Sequence, residues 1–128
     1  MRIKALDCIA DLAEKDDRIC FIGSDLGQGT LASCFEKYPD RFFMEGISEA
    51  HIVGMASGLA KEGKIVFVNT IANFFTRRAF EQICIDVALH NFPVHFIANG
   101  GGLVYAPLGP THTATDDLAL MRVIPNMT

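Results

Sequence analysis

The stretch Gly46-Ile47-Ser48-Glu49 follows an apolar run and opens a helical pattern, which puts a carboxylate in a first helical turn. Open α/β sheets form their ligand sites at such places, outside the carboxyl ends of strands. Two readings stand from position alone. Glu49 either complements the helix dipole, worth about 0.3–1 kcal/mol, or carries a proton in a site. A second candidate is Gly100-Gly101-Gly102, followed by Gly109-Pro110-Thr111-His112. Consecutive glycines let backbone approach a ligand closely, and a histidine follows at the far end of a constrained turn. The alternative is a solvated loop histidine. The triple glycine lacks the GxGxxG spacing of a dinucleotide loop, and no phosphate-cradling P-loop is present. Phe74 and Asp25 also follow strand-like runs. Phe74 reads as a ring platform or as core packing, and Asp25 as a site carboxylate or a turn cap. His90 and His95 read as helix-end and strand residues, not ligands.

Hydrophobic spacing supplies the elements that must position these groups. Met1 to Glu14 is helical, and Ile19 to Ile22 is a short buried strand ending in Gly23-Ser24-Asp25. Thr30 to Lys37 forms a short helix, and Arg41 to Glu45 a second strand. A helix runs from Glu49 to about Lys61 with Ile52, Val53, Ala56, Leu59 and Ala60 on its apolar face. Gly54 and Gly58 lie four apart in it and cost stability, about 1 kcal/mol each, so a close neighbour is expected there. Ile65 to Thr70 is a third strand. Phe75 to about His90 reads as one long helix with Phe80, Ile83, Val87 and Ala88 inward. Val94 to Ala98 is a fourth strand, Asn99 to Thr113 a loop, and Thr115 an N-cap for a helix reaching Arg122. Strands that are apolar throughout are covered on both faces. The expectation is therefore a single α/β domain over 1–128, with a mostly parallel sheet and helices on both faces. The sequence reaches Thr128 where a fifth strand would begin, so the sheet either ends there or is completed by a partner.

The 128 residues carry a net charge of −4, and 20% are charged. No basic stripe of the kind nucleic acid requires is visible. No run reaches the roughly 18 apolar residues of a membrane span. Cys8, Cys20, Cys34 and Cys84 form no CxxC pair and no metal spacing with histidine, so no metal site is expected. Read as free thiols, and with Asp7 and Asp11 interrupting any leader-like run, they point to a reducing cytoplasm.

Five stretches, in order, resemble the transketolase family, particularly its short C-terminal-subunit branch. They are Pro39-Asp40-Arg41-Phe42-Phe43, Gly46-Ile47-Ser48-Glu49, Gly54-Met55-Ala56-Ser57-Gly58-Leu59-Ala60, Gly109-Pro110-Thr111-His112 and Met121 to Thr128. The resemblance implies a pyrimidine-binding (Pyr) domain fold, here without its last strands, and thiamine diphosphate held between this domain and a diphosphate-binding (PP) domain. It implies that Glu49 hydrogen-bonds N1′ of the aminopyrimidine and favours the tautomer that takes the thiazolium C2 proton. Phe74 matches an aromatic position beside the pyrimidine, and Ile71 stands where another aromatic is common. Arg77 or Arg78 matches a variable third position. Asp25 resembles an acidic residue near the thiazolium, and His112 a histidine on substrate oxygens.

The departures bear on substrate. Leu108 stands where sugar-handling transketolases have an acid that meets a substrate hydroxyl, and Gly100 where they have a histidine. A buried leucine leaves a sugar hydroxyl unpaired, at about 1–3 kcal/mol. A less polar donor such as pyruvate, giving an acetyl unit, is therefore expected. The family's Gly-Asp-Gly…Asn motif for magnesium and diphosphate is missing. The expectation is one subunit of a multi-chain transferase moving a two-carbon ketol or acetyl unit and inactive alone. A PP-domain subunit, which holds magnesium, and a C-terminal-domain subunit would be its partners, with Pyr–Pyr self-association. A non-catalytic assembly module, or a truncated fragment, is the alternative.

Overall fold

The computed structural model describes residues 2–128. Five consecutive buried residues, Ile19–Gly23, make strand β1. Alternate side chains of a strand point to opposite faces, and both faces of this one are covered. Cys20 and Ile22 pack with Ile52, Val53, Ala56, Val66 and Val68. Ile19 and Phe21 pack on the other side with Leu6, Ile9, Leu31 and Phe42. Helix α1 (Arg2–Ala13) and the short α2 (Ala32–Lys37) supply that second layer. Helix α3 (Glu49–Lys61) belongs to the first.

The sheet has four strands in the order β2-β1-β3-β4, all parallel. Strand β2 is Phe42–Met44, β3 is Ile65–Ile71 and β4 is Val94–Asn99. Register pairs Gly23 with Met44 and with Asn69, and Ile71 with Asn99. The carboxyl ends of all four strands therefore lie along one edge of the sheet, from which the loops bearing Asp25, Glu49, Phe74 and Gly100 emerge. Asn69 and Asn99 lock this edge: Asn99 Nδ2 donates to Asn69 Oδ1 and to Thr70 O, while Asn69 Nδ2 donates to Leu26 O. β4 lies at the sheet edge with His95 and Ala98 exposed.

Three expectations change. The single helix over Phe75–His90 is a broken segment: a π-turn over Phe74–Arg78, a short helix α4 (Phe80–Gln82) and a second π-turn over Ile83–Ala88. The burial pattern supplies the reason. Phe75, Ala79, Ile83 and Val87, at 2%, 0%, 0% and 4% exposure, repeat every fourth residue. An α-helix would drift about 40° per such step, since its turn takes 3.6 residues. Wider π-turns absorb that drift and keep the stripe on the core. Phe80 is only partly buried as a result. Next, the last helix, α5, starts at Asp117 and not after a Thr115 cap. Asp116 occupies the cap position without capping, because its carboxylate is held by Arg77. Finally, a β-carbon at Gly54 or Gly58 would meet nothing within 4 Å. The close neighbour expected on that face is not supplied by the described residues.

All four cysteines are free, with Cys20 and Cys34 buried. Burial pushes the Cys20, Cys34 and Cys84 thiols up, which keeps them protonated and poor nucleophiles. Arg41 ties α1 to the sheet from inside. At 6% exposure it donates to the carbonyls of Ala13, Asp16 and Ile19 and lies 4.2 Å from the Tyr38 ring centroid. Removing it takes a donor from all three carbonyls, of which Asp16 O alone keeps another, from Ile19 N. Arg41→Ala is expected to lower unfolding free energy by about 2–3 kcal/mol in urea titrations, and an unchanged midpoint would refute that role.

Candidate functional site

Glu49 is the centre of the strand-end edge. Gly46, at φ +73, turns the chain out of β2, and Ser48 Oγ donates to Glu45 O across the turn. Glycine adopts this left-handed backbone without a side-chain penalty. The turn delivers Glu49 to the first residue of α3, yet the side chain points inward and is 1% exposed. Both carboxylate oxygens are engaged. Oε1 accepts from Thr70 Oγ1 at 3.3 Å, and Oε2 accepts from Arg78 at 2.6 Å. A buried charge persists only when paired and hydrogen-bonded, and these two partners meet that condition.

Arg78 has a second contact. Its guanidinium lies 4.2 Å from the centroid of Phe74. A planar cation thus sits over an aromatic face while donating to a carboxylate, a combination of cation–π and charge-assisted bonding. On Phe74, His112 packs edge-on at 5.1 Å. A hollow of about 370 Å³ lined by Asn73, Phe74, Arg77, Arg78 and Thr111 opens beside these groups.

The glycine-rich loop is tied down. Gly102 and Ala114 exchange both backbone hydrogen bonds, at 3.0 and 2.9 Å, closing the loop at its base. Asn73 Nδ2 donates to Thr111 O at 2.6 Å, and His112 Nδ1 lies 2.9 Å from Thr111 Oγ1. These bonds bring the distant His112 back onto Phe74. Asn73 Oδ1 is buried without a hydrogen-bond partner among the described residues.

On the other flank Ser24 Oγ lies 2.9 Å from Thr70 Oγ1 and 2.9 Å from Asp25 Oδ1. Asp25 is exposed at the end of β1, and Ile71 is half-buried at the end of β3. The structure therefore brings Glu49, Phe74, His112, Asp25 and Ile71 to one edge. Arg77 lines the same hollow but does not bond Glu49: it grips Asp116 and donates to Pro110 O. Its neighbour Arg78 is the one that reaches Glu49. Periodicity gives no means of choosing between two adjacent arginines on a π-turn. Ser24 and Thr70 escape sequence reasoning too, since a hydroxyl carries no signal until the strands pair.

Leu108 departs from the expectation of burial. It ends the 3₁₀ turn Ala106–Leu108 and is 59% exposed. The turn stands off the sheet, and Leu103 and Val104 before it are exposed as well. The desolvation argument attached to a buried leucine therefore does not hold within this chain. Gly100, at φ +74, packs under Tyr105, whose ring would overlap any β-carbon built there. A histidine there would be strained at this φ and would have to displace the Tyr105 ring.

A parallel α/β layer with a buried carboxylate and an aromatic ring at its strand-end edge defines a ligand-binding domain of the doubly wound kind. The chain belongs to the family described as "Transketolase, pyrimidine binding domain", which matches residues 3–128. It is 43% identical over 123 residues to the 1-deoxy-D-xylulose-5-phosphate synthase of Nitrosomonas eutropha, covering 95% of this chain and 20% of that protein. It is 36% identical over 122 residues to a putative transketolase C-terminal section of Methanocaldococcus jannaschii, covering 94% of this chain and 39% of that protein. Among solved structures, a split-gene transketolase described as an inactive beta4 tetramer superposes with a TM-score of 0.82 at 37% identity, covering 98% of this chain and 40% of that one. The transketolase of Campylobacter jejuni shares the fold, with a TM-score of 0.82 at 20% identity, over 95% of this chain and 20% of that one. The chain thus spans between a fifth and two-fifths of the length of these relatives.

The Glu49–Arg78 pair generates a prediction. Glu49 is buried, while the Arg78 side chain is 46% exposed, so solvent screening discounts the pairing. Arg78→Met leaves a buried carboxylate without its cation. A double-mutant cycle with Glu49→Gln is expected to give a coupling of about 1–2 kcal/mol. A coupling near zero would show that the contact contributes nothing to folding.

Proposed function

We propose that this chain supplies the pyrimidine-binding side of a thiamine diphosphate site in a multi-chain transketolase-like transferase. The observation that carries the reading is the Glu49–Arg78–Phe74 arrangement. A planar group that donates a hydrogen bond to Glu49 and lies over Phe74 is already accommodated there, in the form of a guanidinium. An aminopyrimidine ring has the same two needs, a flat face to stack and a ring nitrogen to bond to a carboxyl group. The residues present therefore fit the cofactor's pyrimidine, with Arg78 as its stand-in.

In this reading Glu49 holds or gives a proton at Oε2, the oxygen Arg78 bonds, while Thr70 fixes Oε1. Phe74 and Ile71 would hold the ring, Arg78 would give up its place to it, and Asp25 would be the acidic group available to the thiazolium. His112, braced by Phe74 and Thr111, contacts substrate oxygens. The cofactor supplies the carbanion chemistry, and the protein positions and tunes it. Magnesium and the diphosphate fall to a PP-domain partner, because the Gly-Asp-Gly…Asn motif is missing from the sequence. A C-terminal-domain subunit and a second Pyr domain complete the assembly, and the open Gly54/Gly58 face of α3 is a surface on which a close helix would fit. The relatives support this division: one is a split-gene transketolase and one is a transketolase C-terminal section.

The transferred unit is two carbons, with acetyl favoured over ketol. Leu108 and Gly100 provide no polar group for a donor hydroxyl. Relatives at 43% identity are named for a 1-deoxy sugar, whose first carbon carries no hydroxyl. Pyruvate is accordingly the donor proposed, and the compartment is the cytoplasm, where free thiols persist.

Calorimetry tests the assignment. The chain is mixed with a PP-type and a C-terminal-domain transketolase subunit, and thiamine diphosphate with magnesium is titrated in. Binding is expected in the mixture and not to the chain alone. Glu49→Gln is expected to cut turnover of the assembled complex at least 100-fold, the scale of a lost proton carrier. Full activity of the complex carrying Glu49→Gln would support a non-catalytic assembly module and overturn the catalytic reading.

A further inference from the structure

Glu49 lies 1% exposed with both oxygens accepting from protein, so a proton has no direct path to it from solvent. The hydroxyl on Oε1 is not a dead end. Thr70 Oγ1 lies 2.9 Å from Ser24 Oγ, which lies 2.9 Å from Asp25 Oδ1, and Asp25 is exposed. Ser24 and Thr70 are themselves 1% and 0% exposed. Four side-chain oxygens thus run in a line from a sealed carboxyl group to a wetted one.

Counting protons shows what the line requires. Three oxygen–oxygen contacts each need one hydrogen, and two hydroxyls bring two. With both carboxylates ionised, one contact is a pair of bare acceptors. One further proton, on either carboxyl, satisfies all three. With the proton on Asp25, Asp25 donates to Ser24, Ser24 to Thr70 and Thr70 to Glu49. With the proton on Glu49, every bond in the line is reversed.

We propose that Ser24 and Thr70 are positioning residues that form a proton relay between Asp25 and Glu49. The proposal rests on the reading of Glu49 as the residue that tunes the cofactor. In one passage, Asp25 gives its proton to Ser24 Oγ, Ser24 gives its own to Thr70 Oγ1, and Thr70 gives its own to Glu49 Oε1. Asp25 ends one proton poorer and Glu49 one richer. Both hydroxyls are restored, and no electron pair changes its atom. The relay reloads Glu49 while Arg78, or a ring in its place, covers Oε2.

The charged surroundings are few. Arg78, on the π-turn after β3, is bonded to Glu49. Arg77 on the same turn faces Asp116. His51, further along α3, pairs with Glu45 at 3.9 Å. Glu81 is exposed on α4, and Arg2 of α1 borders the hollow that contains Asp25.

The test needs no cofactor. The full 128-residue chain, labelled with 13C at aspartate and glutamate carboxyls, is titrated by NMR, and the Asp25 midpoint is read. Glu49→Gln is expected to move that midpoint by about one pH unit, the mark of strongly coupled sites. In a Thr70→Val background the same substitution is expected to leave it in place, and Thr70→Ser to restore the shift. Ser24→Ala is expected to uncouple the pair as well, and it serves if Thr70→Val does not fold. An equal shift with and without the hydroxyls would mean coupling through space and would overturn the relay, as would no shift at all. The two proposals fail separately: uncoupled carboxyls in a complex that binds the cofactor remove the relay alone, and coupled carboxyls without cofactor binding remove the cofactor reading alone.

Discussion

A carboxylate sealed inside a protein must be bonded on both oxygens or give up its charge. The strand-end edge of this chain is organised around that constraint. Thr70 takes one oxygen of Glu49 and Arg78 the other. Each partner is fixed in turn. Thr70 sits in β3, where its carbonyl is held by Asn99 and its hydroxyl meets Ser24 at the end of β1. Arg78 sits on a π-turn and is steadied by the face of Phe74. Three strands and two helical segments therefore converge on a single acidic group.

This convergence joins folding to function. The parallel sheet is needed because only parallel strands bring several carboxyl ends to one edge. The apolar faces of β1 and β3 hold that edge rigid, and the π-turn sets Arg78 on the site while Phe75 and Ala79 stay in the core. The glycine loop, pinned by the Gly102–Ala114 bridge and by Asn73, carries His112 across to Phe74. The polar contacts are thus placed by backbone ladders, and the Phe74 ring contacts both the guanidinium that holds Glu49 and the His112 imidazole.

Much of the fold is legible in the sequence. Short runs that are apolar on both faces can only be covered strands, and Gly46 before Glu49 marks a helix start. The broken helix is not legible, because hydrophobic spacing of four reads as an α-helical stripe when it is the signature of π-turns here. The candidate site is legible where a motif marks it, as at Glu49 and His112. The family of transketolase pyrimidine-binding domains confirms the resemblance that those motifs carry. Ser24, Thr70 and the choice of Arg78 over Arg77 depend on strand register and helical phase. Leu108 shows the reverse error: an apolar residue reads as buried, but its turn stands clear of the sheet.

In the proposed site, a flat ring that shares a proton with Glu49 takes the place of Arg78 on Phe74. The measurement that tests this is the 15Nε signal of Arg78, followed by NMR in the chain mixed with a PP-type transketolase subunit while thiamine diphosphate and magnesium are added. The Arg78 signal is expected to leave its Glu49-bonded position in step with cofactor binding, and the Phe74 ring signals to move with it. Cofactor binding with Arg78 and Phe74 both unmoved would rule out that exchange.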